Sequence, residues 1–159
     1  MDIVQLLDEN SKMKIKLLEL IQTKLGERVE ISFLAQKTGI SKFKLSKLIH
    51  ELKMELEQKL CLNDFFVVKR GVIQVYSFIC DEIILKLRQH YLNSSLTYQL
   101  LIFLLFSNRP INKFTTYHYI SNSSLYLYKK RINKLLEKDH LIIKKNKIVG
   151  NEWKIRSVG

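Results

Sequence analysis

TGISKFKLSKLIHELKMEL, residues 38–56, holds a helix stop, a helix cap and an amphipathic stripe in close succession. Gly39 suits the left-handed residue that ends one helix, and Ser41 suits the N-cap of the next. Leu45, Leu48, Ile49, Leu52, Leu56 and Leu60 recur at the spacing of one helical face, which predicts a helix from Ser41 to about Leu60. Upstream, Ser32 can cap a short helix through Phe33, Leu34, Ala35 and Thr38. A helix-turn-helix needs a small residue in its first helix, a glycine in the turn and an early apolar anchor in the second helix. Ala35, Gly39 and Leu45 supply them.

Working outward, Ser11 precedes an apolar stripe at Ile15, Leu18, Ile21 and Leu25 that ends at Gly26, a further helix. Downstream, FFVV (65–68) and VIQVY (72–76) are β-rich runs around Lys69, Arg70 and Gly71, as in a short hairpin. Three helices and a hairpin predict a winged helix. A spacer helix is expected from Phe78 to about Tyr91, with Ile79, Ile83 or Ile84, and Leu87 turned inward.

The order then recurs. Ser94 or Ser95 begins an apolar helix to Phe106, Pro110 breaks the chain, and Phe114 to Tyr119 reads as a short helix. Ser121 to Ser123 form a turn and cap, a helix runs to about Lys138, and LIIKK with IVGNEWKI reads as a second hairpin. Leu34, Ile40, Ser41, Leu45 and Leu52 correspond to Phe114, Ile120, Ser121, Leu125 and Ile132, each pair 80 positions apart. In the second copy Thr115 and Tyr119 replace the small residue and the glycine, so a distorted turn is expected. The predicted fold class is mainly α: two tandem winged helix-turn-helix domains with short β-hairpin wings. Residues 1–76 would form the first, and residues 77–159 the spacer helix and the second.

Charge and composition narrow the function. The 159 residues are 47% hydrophobic, enough for real cores, and carry a net charge of +12. Such a field attracts polyanions. The chain opens MDIVQLLDEN, unlike a signal peptide, and its longest apolar run, LLIFLLF (100–106), is far short of the roughly 20 residues that span a bilayer. A cytoplasmic protein with no membrane partner is expected. Cys61 and Cys80 lack a CxxC or a His cluster, so reduced thiols and no metal are expected. No GxxxxGK[ST], GxGxxG, HExxH or Gly-flanked nucleophile occurs, so neither catalysis nor a cofactor is expected.

Helical phase assigns candidate contacts. With Leu45 inward, Phe43, Lys47 and His50 face out, flanked by Lys44 and Ser46, and no acid occurs from residue 31 to residue 50. With Leu125, Ile132 and Leu136 inward, Leu127, Lys130 and Lys134 face out beside Ser124, Tyr126 and Arg131. A helix entering the major groove needs cations and donors at its leading end, where phosphates flank it and base edges face it. Lys42, Arg70, Lys129, Lys144 and Lys145 are expected on phosphates, with Lys154 and Arg156 also in the second wing. Lys44, Lys47, His50, Ser124, Tyr126, Lys130 and Arg131 are candidates for base reading, and Ser41, Ser46, Ser123 and Lys134 complete the DNA-binding set. Leu127 is either a thymine-methyl contact or a sign that the phase is one position off. Tyr117, Tyr119 and Tyr128 are expected to pack, His118 and His140 to lie at the edge of the core or the surface, and His90 on a helix surface.

SNSSLYLYKKRINKLLEK (121–138) and IVGNEWKIR (148–156), with its Gly150, Asn151, Glu152, Ile155 and Arg156, resemble the Mga family of virulence regulators of Gram-positive cocci, kin to the AtxA and RofA-like regulators. The resemblance implies a transcription regulator binding double-stranded promoter DNA, with recognition helices at residues 41–60 and 123–138. Family members are longer, with phosphotransferase-type regulatory domains, so the chain is expected to be an N-terminal fragment or a short paralogue. A homodimer would then form through a C-terminal region this chain lacks. Two rivals to the regulator are a plasmid replication initiator and a winged-helix adaptor for an acidic protein.

Overall fold

The computed structural model describes residues 2–150. These are mainly helical, with seven α-helices and two small antiparallel sheets. The chain divides into two compact units, one of Glu9–His90 and the other combining Met1–Asp8 with Tyr91–Gly159.

In the first unit, α1 (Glu9–Gln22) buries Ile15, Leu17, Leu18 and Ile21. The helix starts ahead of Ser11, which lies within it, and Leu25 lies beyond its end and is exposed. Gly26, at φ +78°, turns the chain out of α1 and donates its N–H to the Val75 carbonyl at 2.9 Å. That contact leads into a strand absent from the sequence expectation, β1 (Arg28–Glu30). It pairs antiparallel with β3 (Val72–Val75), which also pairs with β2 (Phe66–Lys69), giving the order β1-β3-β2. The register sets Arg28 opposite Gln74, Val29 opposite Ile73 and Glu30 opposite Val72. Val29, Ile73, Val75 and Phe66 form the buried face.

Between β1 and β2 run α2 (Ile31–Thr38) and α3 (Lys42–Gln58). Glu30, rather than Ser32, occupies the N-cap position of α2; Ser32 lies inside the helix and donates its hydroxyl to the Glu30 carboxylate at 3.2 Å. Gly39 closes α2 at φ +73°. Ser41 caps α3, its Oγ accepting from the Lys44 N–H at 3.2 Å. Leu45, Leu48, Ile49, Leu52 and Leu56 are buried, and the helix stops before Leu60. Beneath it, Lys14 of α1 is paired with Glu51 at 3.0 Å and Glu55 at 2.7 Å. The spacer helix α4 (Asp81–Ser94) starts three residues after Phe78, which is left exposed. Its opening acids, Asp81 and Glu82, suit the positive end of a helix dipole.

In the second unit, α5 (Leu96–Phe106) is capped by Ser95, whose Oγ accepts from the Tyr98 N–H. Pro110 stands at the N-cap of α6 (Ile111–Tyr117), so that helix begins and ends earlier than expected. Proline suits the spot, because a helix start needs no N–H there. The last helix, α7 (Asn122–Leu136), ends in a 3-10 turn (Glu137–Asp139), and β4 (Ile142–Lys144) pairs antiparallel with β5 (Lys147–Val149). The rest of IVGNEWKI, with Lys154 and Arg156, lies outside the described residues. The core joins Leu100, Leu101, Leu104, Phe114, Ile132, Leu135, Leu136, Leu141 and Ile148. Leu6, from a 3-10 helix at Ile3–Leu6, belongs to the same cluster, so the first residues of the chain close the core of its last third.

Candidate nucleic-acid interface

The helix pairs α2–α3 and α6–α7 repeat each other residue by residue at the interval of 80. Leu34 and Phe114 are buried, as are Leu52 and Ile132. Ser121 caps α7 as Ser41 caps α3, its Oγ accepting from the Ser124 N–H at 3.1 Å. The turn of the second pair keeps its geometry: Tyr119 takes the left-handed conformation at φ +54°, where the first pair has Gly39 at φ +73°. What differs is the closure. Gly39 donates to the Ala35 carbonyl, whereas Tyr119 donates to Thr116 and Ile120 to Thr115, the paired pattern of a Schellman motif. The expected distortion is therefore confined to hydrogen bonding, and to Leu125, half-buried where Leu45 is fully buried.

On α3, Lys42, Lys44, Ser46, Lys47 and His50 are exposed, as are the capping Ser41 and, in the β2–β3 turn, Arg70. Phe43 is 85% exposed. The acids of the later turns have a different occupation from the one their position suggested: Glu51 and Glu55 face Lys14, not solvent alone. Burial disfavours the Lys14 charge, yet hydrogen bonds and attraction from Glu55 and Glu51 outweigh it and leave its pKa raised. Among the described residues no acid pairs with Lys42, Lys44 or Lys47, so the leading turns of α3 carry positive charge.

On α7, Ser123, Tyr126, Lys130, Arg131 and Lys134 are exposed, while Ser124 and Lys129 are half-buried. Ser124 Oγ accepts from Ser121 Oγ, and Lys129 Nζ donates to Asn146 Oδ1 in the β4–β5 turn. Lys129 thus ties helix to hairpin. A second tie is Asn133, whose Oδ1 accepts the Ile143 N–H at 2.9 Å. Its amide gives no sequence signal, because only the hairpin's return brings an N–H to it. Lys144 and Lys145 are exposed on the same hairpin. Leu127 is 55% exposed, so the helical phase is right and its side chain projects from the surface. It lines a groove of about 940 Å³ with Lys130, Arg131 and Lys134.

Two tyrosines depart from expectation: Tyr117 and Tyr119 are 78% and 96% exposed, Tyr117 keeping only an edge-on contact with His118 at 4.8 Å, while Tyr128 packs on the core. His118 lies against the Phe114 ring at 4.5 Å. No group of described residues is arranged to hold a metal ion, and no described helix is long and apolar enough to cross a membrane. Residues missed by the sequence reading are Arg28 and Lys69, which line the same hollow as Arg70 on the outer face of the sheet.

Residues 81–158 match the family model of the Mga helix-turn-helix domain. A comparison with curated proteins finds no match. The second half of the chain belongs to the Mga helix-turn-helix family, whose domain is a DNA-binding regulatory one.

Proposed function

We propose that this Mga-family chain is a non-enzymatic transcription regulator that reads double-stranded promoter DNA through two winged helix-turn-helix units. In this reading α3 and α7 each enter the major groove. Lys44, Lys47, His50, Tyr126, Lys130 and Arg131 meet base edges, and Lys42, Arg70, Lys144 and Lys145 meet phosphates. The observation that carries it is the repeated serine-capped helix with a cationic exposed face. Ser41 and Ser121 cap the two helices, α3 exposes Lys42, Lys44 and Lys47 over its first two turns while Glu51 and Glu55 are drawn toward Lys14, and α7 exposes Lys130, Arg131 and Lys134 from its third turn onward. An adaptor for an acidic protein needs no such repetition at 80 positions.

The test is a titration of random-sequence duplex by fluorescence anisotropy across salt, followed by selection of preferred sites. Neutralising six to ten phosphates predicts an affinity loss of roughly 10³ to 10⁵ between 50 and 200 mM salt. Lys47→Ala and Lys130→Ala should each relax preference in a different part of the selected site. A salt-independent or absent association rules the reading out.

A further inference from the structure

Strand β1 does more than extend the sheet. Its pairing sets Arg28, Gln74 and Val67 in one row across the three strands, and Glu30, Val72 and Lys69 in the next. Because side chains alternate along a strand, these residues share the face opposite the buried Val29, Ile73 and Phe66. The β2–β3 turn adds Arg70, at φ +51°, and the chain beyond β3 adds Tyr76. All of them but Glu30 border a hollow of about 300 Å³.

We infer that this outer face is a second contact surface for duplex DNA, in which Arg28, Lys69 and Arg70 hold backbone phosphates beside the groove entered by α3. The inference rests on the proposed DNA-binding reading and adds to it a site and two residues.

Charge supports it. Arg28, Lys69 and Arg70 form no ion pair among the described residues. Glu27 is engaged with Lys24 at 3.7 Å, and Glu30, which accepts from the Ser32 hydroxyl, is the single acid on this face against its three cations. Neutral donors are at hand too. Tyr76 donates its hydroxyl to Gln74 Oε1 at 3.3 Å, which leaves the Gln74 amide hydrogens pointing elsewhere.

Shape then selects the ligand. Arg28, Lys69, Arg70 and Tyr76 are all exposed, so the hollow cannot envelop a small molecule as a ligand pocket does. A polymer laid across the surface needs no enclosure, only cations spaced along its path. The surface is also joined to the helix-turn-helix, since Ile31 at the head of α2 donates its N–H to the Gly71 carbonyl at 2.9 Å.

The experiment measures the salt dependence of duplex affinity for the full chain and for Arg28→Ala, Lys69→Ala and, as a control for net charge alone, Lys16→Ala on α1. Each of the first two should weaken binding about eightfold at 0.1 M salt, lower the log–log salt slope by about one, and leave the selected sequence unchanged. Lys16→Ala should leave the slope unchanged. Equal slopes in all four proteins, with wild-type binding intact, overturn the surface but not the DNA-binding reading, whereas wild-type protein that ignores duplex removes both. In a second arm, inorganic phosphate is titrated without DNA while the arginine Nε–H resonances are followed. Saturation below millimolar phosphate that Arg28→Ala abolishes would make this a free-phosphate site and overturn the proposal; weak, unsaturating shifts are expected.

Discussion

Lys14 Nζ of α1 lies 2.7 Å from Glu55 Oε1 of α3, and the lysine side chain is only 9% exposed. This pair, with Glu51 at 3.0 Å, pins the back of α3 to α1. Lys14→Met should leave two carboxylates one helical turn apart facing a vacated cation site. A fully buried pair broken this way costs about 3–5 kcal/mol, and the 37% exposure of Glu51 lowers the expectation to roughly 1–3 kcal/mol. Urea denaturation of Lys14→Met, and of Lys14→Met with Glu55→Gln, checks it. The double variant should recover part of the loss; equal losses would mean that the pair is not coupled.

The same contact sets a pH dependence. The pKa of Lys14 is raised in the folded chain, so folding binds its proton more tightly than the unfolded chain does. Its contribution is complete below the ordinary lysine value of about 10.4 and is lost as pH rises through the higher folded value. Thermal melts between pH 9 and 11.5 should fall more steeply for wild type than for Lys14→Met. Parallel curves would exclude a perturbed lysine.

Tyr119 occupies a left-handed conformation at 96% exposure, where its Cβ costs about 1–2 kcal/mol and its ring packs on nothing that offsets it. Tyr119→Gly removes that strain but frees the unfolded chain, a cost of roughly 0.5–1 kcal/mol. A net gain of about 0.5–1 kcal/mol is expected. The mirror substitution, Gly39→Ala, should destabilise by a similar amount, and a melt showing the opposite signs would refute the shared turn geometry.

Gly150 closes the β4–β5 end of the second unit. A methyl group there would strike the Leu141 side chain, which is buried, and would crowd the His140 carbonyl at 3.2 Å. Gly150→Ala should cost roughly 1–3 kcal/mol as overpacking, read as a lowered melting temperature. An unchanged melt would show that Leu141 moves freely.

Phe43 projects from the first turn of α3 between Lys42 and Lys44. On a duplex, such an apolar group suits the thymine methyl. Replacing thymine by uracil at the contacted position should weaken wild-type binding about fourfold, the worth of one buried methylene-sized group, and should leave Phe43→Ala indifferent. Equal sensitivity in both proteins would assign the methyl to another residue.

Legibility divides along the range of the forces. The bodies of α3 and α7, their serine caps and most of the residues they expose could be read from the chain, because a stripe of period 3.6 and a capping hydroxyl are local; the half-burial of Ser124 and Lys129 could not. The phase of Leu127, doubtful on sequence grounds, followed the same period. Three features needed the folded molecule. Strand β1 has one apolar residue in three and forms because β3 offers it an open edge, and only that pairing brings Arg28 onto the face that carries Lys69. Leu6 enters a core built from Leu100 onward, a contact without sequence periodicity. Glu51 and Glu55 look like solvated charges until α1 delivers Lys14. Neighbours along the chain set each helix, while the strand edge, the closing of the second core and the neutralised back of α3 depended on segments distant in sequence meeting in space.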